Sequence, residues 1–232
     1  MFALDIETSS PFRSPGYDEF EDTDCFELVA VALGHRPTPG DPAETTVLFR
    51  RGGWDPAHTA DLINRSCAWV DQRRNGEAPL LTYNGSGFDA IHLCEWAGRL
   101  GDDHPILPGA VRRLFTDHRD VARVAGYYFR DRPFGGRFPK FERACEWAGV
   151  DVPETRYAAF DVDQTLAARV DGDCVEGRHV GEVLGEVYVE GVAAGDPSTG
   201  LRSLLVHYAT GDVEPLFSLA DAMGVGSGDA TR

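Results

Sequence analysis

The chain has 232 residues, 42% of them hydrophobic, and a formal net charge of −16. This length and apolar content suit one domain with a real core, and no run approaches the roughly 20 apolar residues of a membrane span. The charge excludes sequence-independent binding of nucleic acid through a broad basic surface. A local basic groove stays possible, and Lys140 is the lone lysine among 22 basic residues, a bias that fits salt adaptation or arginine-rich coding.

The N-terminus lacks a basic stretch followed by an apolar one, and strand-like residues begin at Phe2. No targeting segment is therefore expected, and the cytoplasm is the expected location. Leu4 to Glu7 reads as a buried strand, followed by a polar loop from Ser9 to Asp24. Phe26 to Leu33 and Thr45 to Phe49 read as two further strands. From Asp55 the period changes: Ala60, Ile63, Cys67 and Val70 predict an amphipathic helix over 55–74, with Pro56 in its first turn and Asn75-Gly76 after its end. Pro79 to Tyr83 is a short apolar strand and Phe88 to Leu100 a helix. Asp120 to Phe129 reads as a strand. Lys140 to Gly149, Val180 to Ala194 and Leu201 to Met223 read as helices, the last with a bend expected at Gly211. Residues 1–223 are expected to form one domain and 224–232 a disordered tail. Close succession of the first three strands suggests antiparallel pairing, and helix-linked later strands suggest parallel pairing. The expectation is an α/β fold, a mixed central sheet with helices on both faces.

Five cysteines, odd in number and without a Cys-x-x-Cys pair, read as buried reduced thiols. Acidic residues close three apolar runs: Asp5 and Glu7 in Phe2-Ala3-Leu4-Asp5-Ile6-Glu7-Thr8, Asp89 in Thr82-Tyr83-Asn84-Gly85-Ser86-Gly87-Phe88-Asp89, and Asp212 in His207-Tyr208-Ala209-Thr210-Gly211-Asp212. Residues two apart on a strand share a face, so Asp5 and Glu7 project together. Carboxylates so crowded raise a pKa or bind cations, and a pair of divalent ions is suited to phosphodiester cleavage. Asp89 alone reads first as a helix N-terminal residue favoured by the dipole.

Asp-x-Glu on a first strand, Asn-Gly-x-x-Phe-Asp after a later strand and Tyr-x-x-x-Asp on a C-terminal helix resemble the three motifs of the DEDD superfamily. These are 3′–5′ exonucleases with a ribonuclease H-like fold. The motifs run from Asp5 to Asp212, and the second is closest to stand-alone exonucleases and to proofreading domains of family B polymerases. The resemblance implies two divalent cations, Mg²⁺ or Mn²⁺. Asp5, Glu7 and Asp212 would hold one, and Asp5 with Asp89 through water the other. Tyr208, one helical turn before Asp212, would orient the attacking water. His207 is the alternative, disfavoured by the Asn-Gly form of the second motif. Thr8, Asn84 and Phe88 are implied near the terminal nucleotide. The implied partner is the 3′ end of single-stranded DNA or RNA, with no membrane; a protein partner is left open. A silent nucleic-acid-binding or regulatory module keeping the same fold is the alternative function.

Arg130, Arg132, Arg137 and Lys140 interleave with Phe134, Phe138 and Phe141, a pattern able to grip phosphates and stack on bases. Arg137 and Lys140 are the substrate-binding candidates here. Asp120 is a candidate for capping or for support of the site, and Asp161 and Asp163 read as solvated surface.

Overall fold

A computed structural model describes residues 1–16, 18–76 and 78–225. Five strands build one mixed sheet in the order β3-β2-β1-β4-β5: β1 (Phe2–Ser9), β2 (Glu27–His35), β3 (Glu44–Phe49), β4 (Leu80–Thr82) and β5 (His118–Asp120). β1 pairs antiparallel with β2, which pairs antiparallel with β3, while β4 runs parallel to both β1 and β5. Both expected pairing senses hold. So does the flanking of the sheet by helices. No helix among the described residues is long and apolar enough to cross a membrane.

Strand alternation sorts β1 between two cores. Phe2, Leu4 and Ile6 enter a cluster with α1 (Pro56–Arg73), α2 (Asp89–Arg99) and α3 (Leu107–Leu114). Ala3 enters the opposite cluster with α4 (Val121–Tyr128), α5 (Phe141–Ala148) and α9 (Thr199–Ala222). A third cluster packs Val29, Ala30 and Phe49 against Val180, Tyr188 and Leu204. These come from a chain of elements: α6 (Gln164–Ala167), α7 (Gly177–His179), a π-helical turn at Val180–Leu184 and α8 (Gly185–Ala193), leading to α9.

α9 lies close to the sheet because the residues beneath it are small. Ala3 and Ala32 are buried there, and a Cβ built on Gly34 would stand 2.7 Å from the Phe217 ring and 2.9 Å from Val213. The helix runs unbroken across Gly211 and Pro215, so the sequence expectation of a bend at Gly211 finds no interruption. Gly211 instead receives Pro153, 3.5 Å from its would-be Cβ.

Three other expectations change. Residues 120–129 are a strand for only one residue: the Asp120 carboxylate accepts from the Ala122 N–H and starts α4, whose Val121, Ala122 and Ala125 face the core at helical spacing. Helix α3, with buried Leu107, Ala110, Val111 and Leu114, falls in a stretch to which the sequence analysis assigns no element; Pro108 sits in its first turn, where its missing N–H costs nothing. The expected tail starts later, since Gly224 turns at φ 74° and Val225 is buried; residues 226–232 lie outside the described residues. All five cysteines are unpaired; Cys25, Cys67 and Cys145 are buried as expected, Cys174 is half-buried and Cys94 is exposed.

Arg50 fixes the far corner of the sheet. It is 1% exposed and donates to the carbonyl oxygens of Gly53 (2.7 Å), Leu28 (3.0 Å) and Asp55 (2.9 Å), to Thr59 Oγ1 (2.8 Å) and to Glu27 (3.3 Å). A buried charge is tolerated only when satisfied in this way. Arg50→Met strips those acceptors of donors and should cost about 3 kcal/mol, read as a lower urea midpoint at unchanged slope. A midpoint equal to that of the wild type would contradict it.

Candidate functional site

The candidate site lies where β1 outruns its partner. β4 pairs with β1 only at Phe2 and Ala3, so the later part of β1 lacks a backbone neighbour on that side. Asp89 fills the gap: its Oδ1 accepts from the Ile6 N–H at 3.0 Å. Phe88 occupies the cap position and Asp89 is the first residue of α2, almost fully buried. Its carboxylate thus ties α2 to the strand that carries Asp5 and Glu7.

Asp5 and Glu7 share the Ala3 face of β1, beneath α9. From α9, Tyr208 and Asp212 project four residues apart toward them. Asp5, Glu7 and Asp212 each offer an oxygen, and all three oxygens lie within 4.8 Å of one another. Asp89 is outside this triad. Glu7 is 6% exposed, and its buried Oε1 has no hydrogen-bond partner. Three crowded carboxylates and an orphaned hard oxygen are the donor set that Mg²⁺ or Mn²⁺ takes.

Without a cation the crowding resists ionisation. Burial, then the charges of Asp89, Glu7 and Asp212, hold the Asp5 carboxyl well above its ordinary range. Burial and the charges of Asp212 and Asp89 do the same to Glu7. Burial pushes Asp89 up to about 7 despite the backbone N–H groups that favour its charged form. Burial and the Glu142 charge push Asp212 up to about 7, with the Tyr208 hydroxyl pulling the other way. Tyr208 is also raised, by burial and then by Asp212, Glu7 and Asp5, so its phenol keeps its proton.

A cavity of about 640 Å³ opens over these groups. Thr8 and Phe88 line it as the sequence suggests, with Phe141 from the basic and aromatic segment and with Phe20, Phe26 and Tyr83, which sequence reasoning did not place there. Phe88 meets Phe26 edge-on at 5.3 Å and His92 at 4.3 Å. His92 is buried and pins the Phe20 loop: its Nε2 donates to the Phe20 carbonyl (3.0 Å), and its Nδ1 accepts from the Thr23 hydroxyl (2.8 Å). The spacing Phe88, His92, Trp96 carries that signal, one residue per helical turn.

Other candidates fall outside the cavity lining. Asn84 is exposed and takes φ 63°, a left-handed turn conformation, next to Gly85, whose Cβ would collide with Thr82 Oγ1 at 2.2 Å. Asp120 both caps and supports, because its carboxylate also accepts from the N–H groups of Asn84 (2.9 Å) and Ser86 (3.1 Å) and so shapes the turn that delivers Phe88 and Asp89. His207 accepts from or donates to Thr155 Oγ1 at 2.7 Å and packs against Phe160, so the cavity receives Tyr208 and not His207. Arg137 and Lys140 are exposed. Of the phenylalanines that interleave with the basic residues, Phe134 packs on Trp147 and Phe138 on Gly126, whereas Phe141 meets Tyr83 and lines the cavity with it. Asp161 and Asp163 are exposed, Asp163 capping α6.

No protein-family model matches the chain, and neither does any curated protein.

The raised carboxyls set a pH dependence. Unfolded Asp and Glu ionise near 4, so between about pH 4 and 7 the native state keeps protons that the unfolded chain has shed, and metal-free stability falls as pH rises. Exposed acids held low, such as Asp171 and Glu176, act below this window. The metal-free protein should melt several degrees lower at pH 8 than at pH 6 (roughly 3 °C per kcal/mol). Asp212→Asn should flatten the slope, and Mn²⁺ should raise the midpoint more at pH 8 than at pH 6. Scanning calorimetry in EDTA and in Mn²⁺ decides it; a midpoint rising from pH 6 to 8 in EDTA would count against the crowding.

Proposed function

We propose that this chain is a metal-dependent 3′–5′ exonuclease of ribonuclease H-like fold, hydrolysing phosphodiester bonds at the 3′ ends of single-stranded DNA or RNA. The observation that carries the reading is the triad Asp5, Glu7 and Asp212, with its oxygens within 4.8 Å and one buried Glu7 oxygen unpartnered, at the floor of an aromatic cleft. The mixed sheet between two helical layers and the first-strand and last-helix positions of these acids support the fold and the motif resemblance.

Bound Mg²⁺ or Mn²⁺ would supply concentrated positive charge beside the scissile phosphodiester and make water more acidic. Asp5, Glu7 and Asp212 would be its direct donors. Asp89, hydrogen-bonded to β1 and raising the Asp5 pKa, would serve a second ion from behind Asp5. Tyr208, kept protonated among carboxylates, cannot take a proton from water at neutral pH; its hydroxyl orients the attacking water by hydrogen bonding. Phe88, Phe26 and Phe20 offer ring faces and edges to bases that are no longer stacked or paired, which favours single strands. Thr8 borders the same space at the end of β1.

Digestion of 5′-labelled single-stranded DNA and RNA with Mn²⁺ or Mg²⁺, at low and high salt, should give a ladder that shortens from the 3′ end. Asp5→Ala and Asp212→Ala should lower the rate on the order of 10³-fold. Tyr208→Phe should lower it by roughly 10²-fold, and His207→Ala should leave it within a factor of about three. Folded wild-type protein that binds Mn²⁺ yet leaves both strands intact at either salt would overturn the proposal in favour of a silent binding module.

A further inference from the structure

Resting on the exonuclease reading, we infer that Arg178 is the phosphate-binding residue of the cleft, held for that task by Asp171 and Glu176. Among the described residues the cavity is lined by four acids, Asp5, Glu7, Glu182 and Asp212, and by one cationic side chain, Arg178. A phosphodiester entering a cleft of that sign needs a local counter-charge, and the guanidinium fork matches a phosphate's oxygens.

The side chain is preorganised rather than free. Its Nε donates to Glu176 Oε2 at 2.9 Å and its Nη2 to Asp171 at 2.9 to 3.0 Å. Nη1 has no partner among the described residues, which leaves two N–H donors for a ligand. Asp171 is itself fixed from below by His179, which is 3% exposed. The Nδ1 of His179 accepts from the Glu176 N–H (3.2 Å) and faces the Tyr157 hydroxyl (2.9 Å). The ring proton therefore sits on Nε2 and points to Asp171 Oδ1 at 3.1 Å.

The backbone that carries Arg178 is anchored to the site. A Cβ on Gly177 would lie 3.4 Å from the Tyr208 hydroxyl, so this segment meets α9 at the wall of the cavity. Four residues on, the Gly181 carbonyl accepts from Ser10 N–H (3.0 Å) and Ser9 Oγ (2.9 Å) at the end of β1. Gly181 belongs to the π-helical turn at Val180–Leu184, a distortion often found at functional sites. Arg178 thus stands on a segment tied to both elements that carry the acidic triad.

The test is fluorescence anisotropy with short 5′-fluorescein-labelled single-stranded DNA and RNA bearing free 3′ hydroxyls, with Ca²⁺ in place of Mn²⁺. Arg178→Ala should weaken binding about tenfold, the loss of one charge-assisted hydrogen-bonded contact. It should also reduce the slope of log K against log salt by about 0.7, the signature of one lost phosphate contact on a single strand. Arg178→Lys should restore that slope while recovering only part of the affinity, and Asp171→Asn should weaken binding with the slope kept. In turnover, the Arg178→Ala loss should lie in KM more than in kcat. An unchanged Mn²⁺-induced rise in melting temperature shows that the Arg178→Ala site is intact. Wild-type and Arg178→Ala proteins with equal affinity and salt slope would overturn the inference while leaving the exonuclease reading standing if the wild type degrades its substrate. A wild type that neither binds nor degrades either strand would remove both.

Discussion

The organising constraint is electrostatic: Asp5, Glu7 and Asp212 are held together although each is held far above its ordinary pKa or to about 7 by burial and by its neighbours. Nothing intrinsic to these side chains favours that arrangement. The surrounding packing must therefore overdetermine it, as strained or repulsive groupings persist only where the scaffold leaves them no alternative. The apolar runs on either side of the sheet supply that determination. Phe2, Leu4 and Ile6 are locked into one core while Ala209, Val213 and Leu216 lock α9 against the other. Between them the acids of β1 and α9 have nowhere else to go.

Hydrogen bonds to backbone finish what packing begins. Two aspartates act in relay: Asp120 shapes the turn at 84–86, and the turn delivers Asp89, which binds the N–H of Ile6 between the two acids of β1. Both spend carboxylate oxygens on main-chain donors, which suits a charged group far better than an apolar neighbour would. Opposite the end of β1 the register shifts between Glu7 and Thr8, leaving Val29 of β2 as the extra residue of a bulge at the rim of the cavity. On the opposite wall the aromatic lining depends on a histidine that touches no ligand: His92 holds the loop that presents Phe20.

Much of this is legible in the letters. Period-two alternation in β1 and the three acidic segments are local signals, and they foretell which carboxylates share a face. The antiparallel-then-parallel pairing follows from loop lengths. What the sequence hides is long-range or mixed in character. Residues 121–128 carry valine and tyrosine, which read as strand, yet the Asp120 cap and the spacing of Val121 and Ala125 make them helical. Arg178 sits in an acidic, irregular stretch whose meaning appears only when Gly177 meets Tyr208 and Gly181 meets Ser9 and Ser10, partners far away along the chain. The basic loop at 130–140 misleads in the opposite sense: Phe134 and Phe138 are spent on packing against Trp147 and Gly126, while Phe141, just beyond it, reaches the cavity beside Tyr83.

Gly34 has no chemistry to offer, but it pairs with Ala3, two residues before Asp5, and the spacing between sheet and helix runs through it. The 2.7 Å separating its would-be Cβ from Phe217 leaves no space for even a methyl group. Any side chain there acts as a wedge, and a rigid helix turns a wedge at one end into a displacement at the other. In a saturation survey of this gene, Gly34 would score like a member of the acidic cluster, and Ala3 and Ala32 would tolerate little more. The tightest selection on the site would then fall partly on residues recognisable only by the atoms they lack.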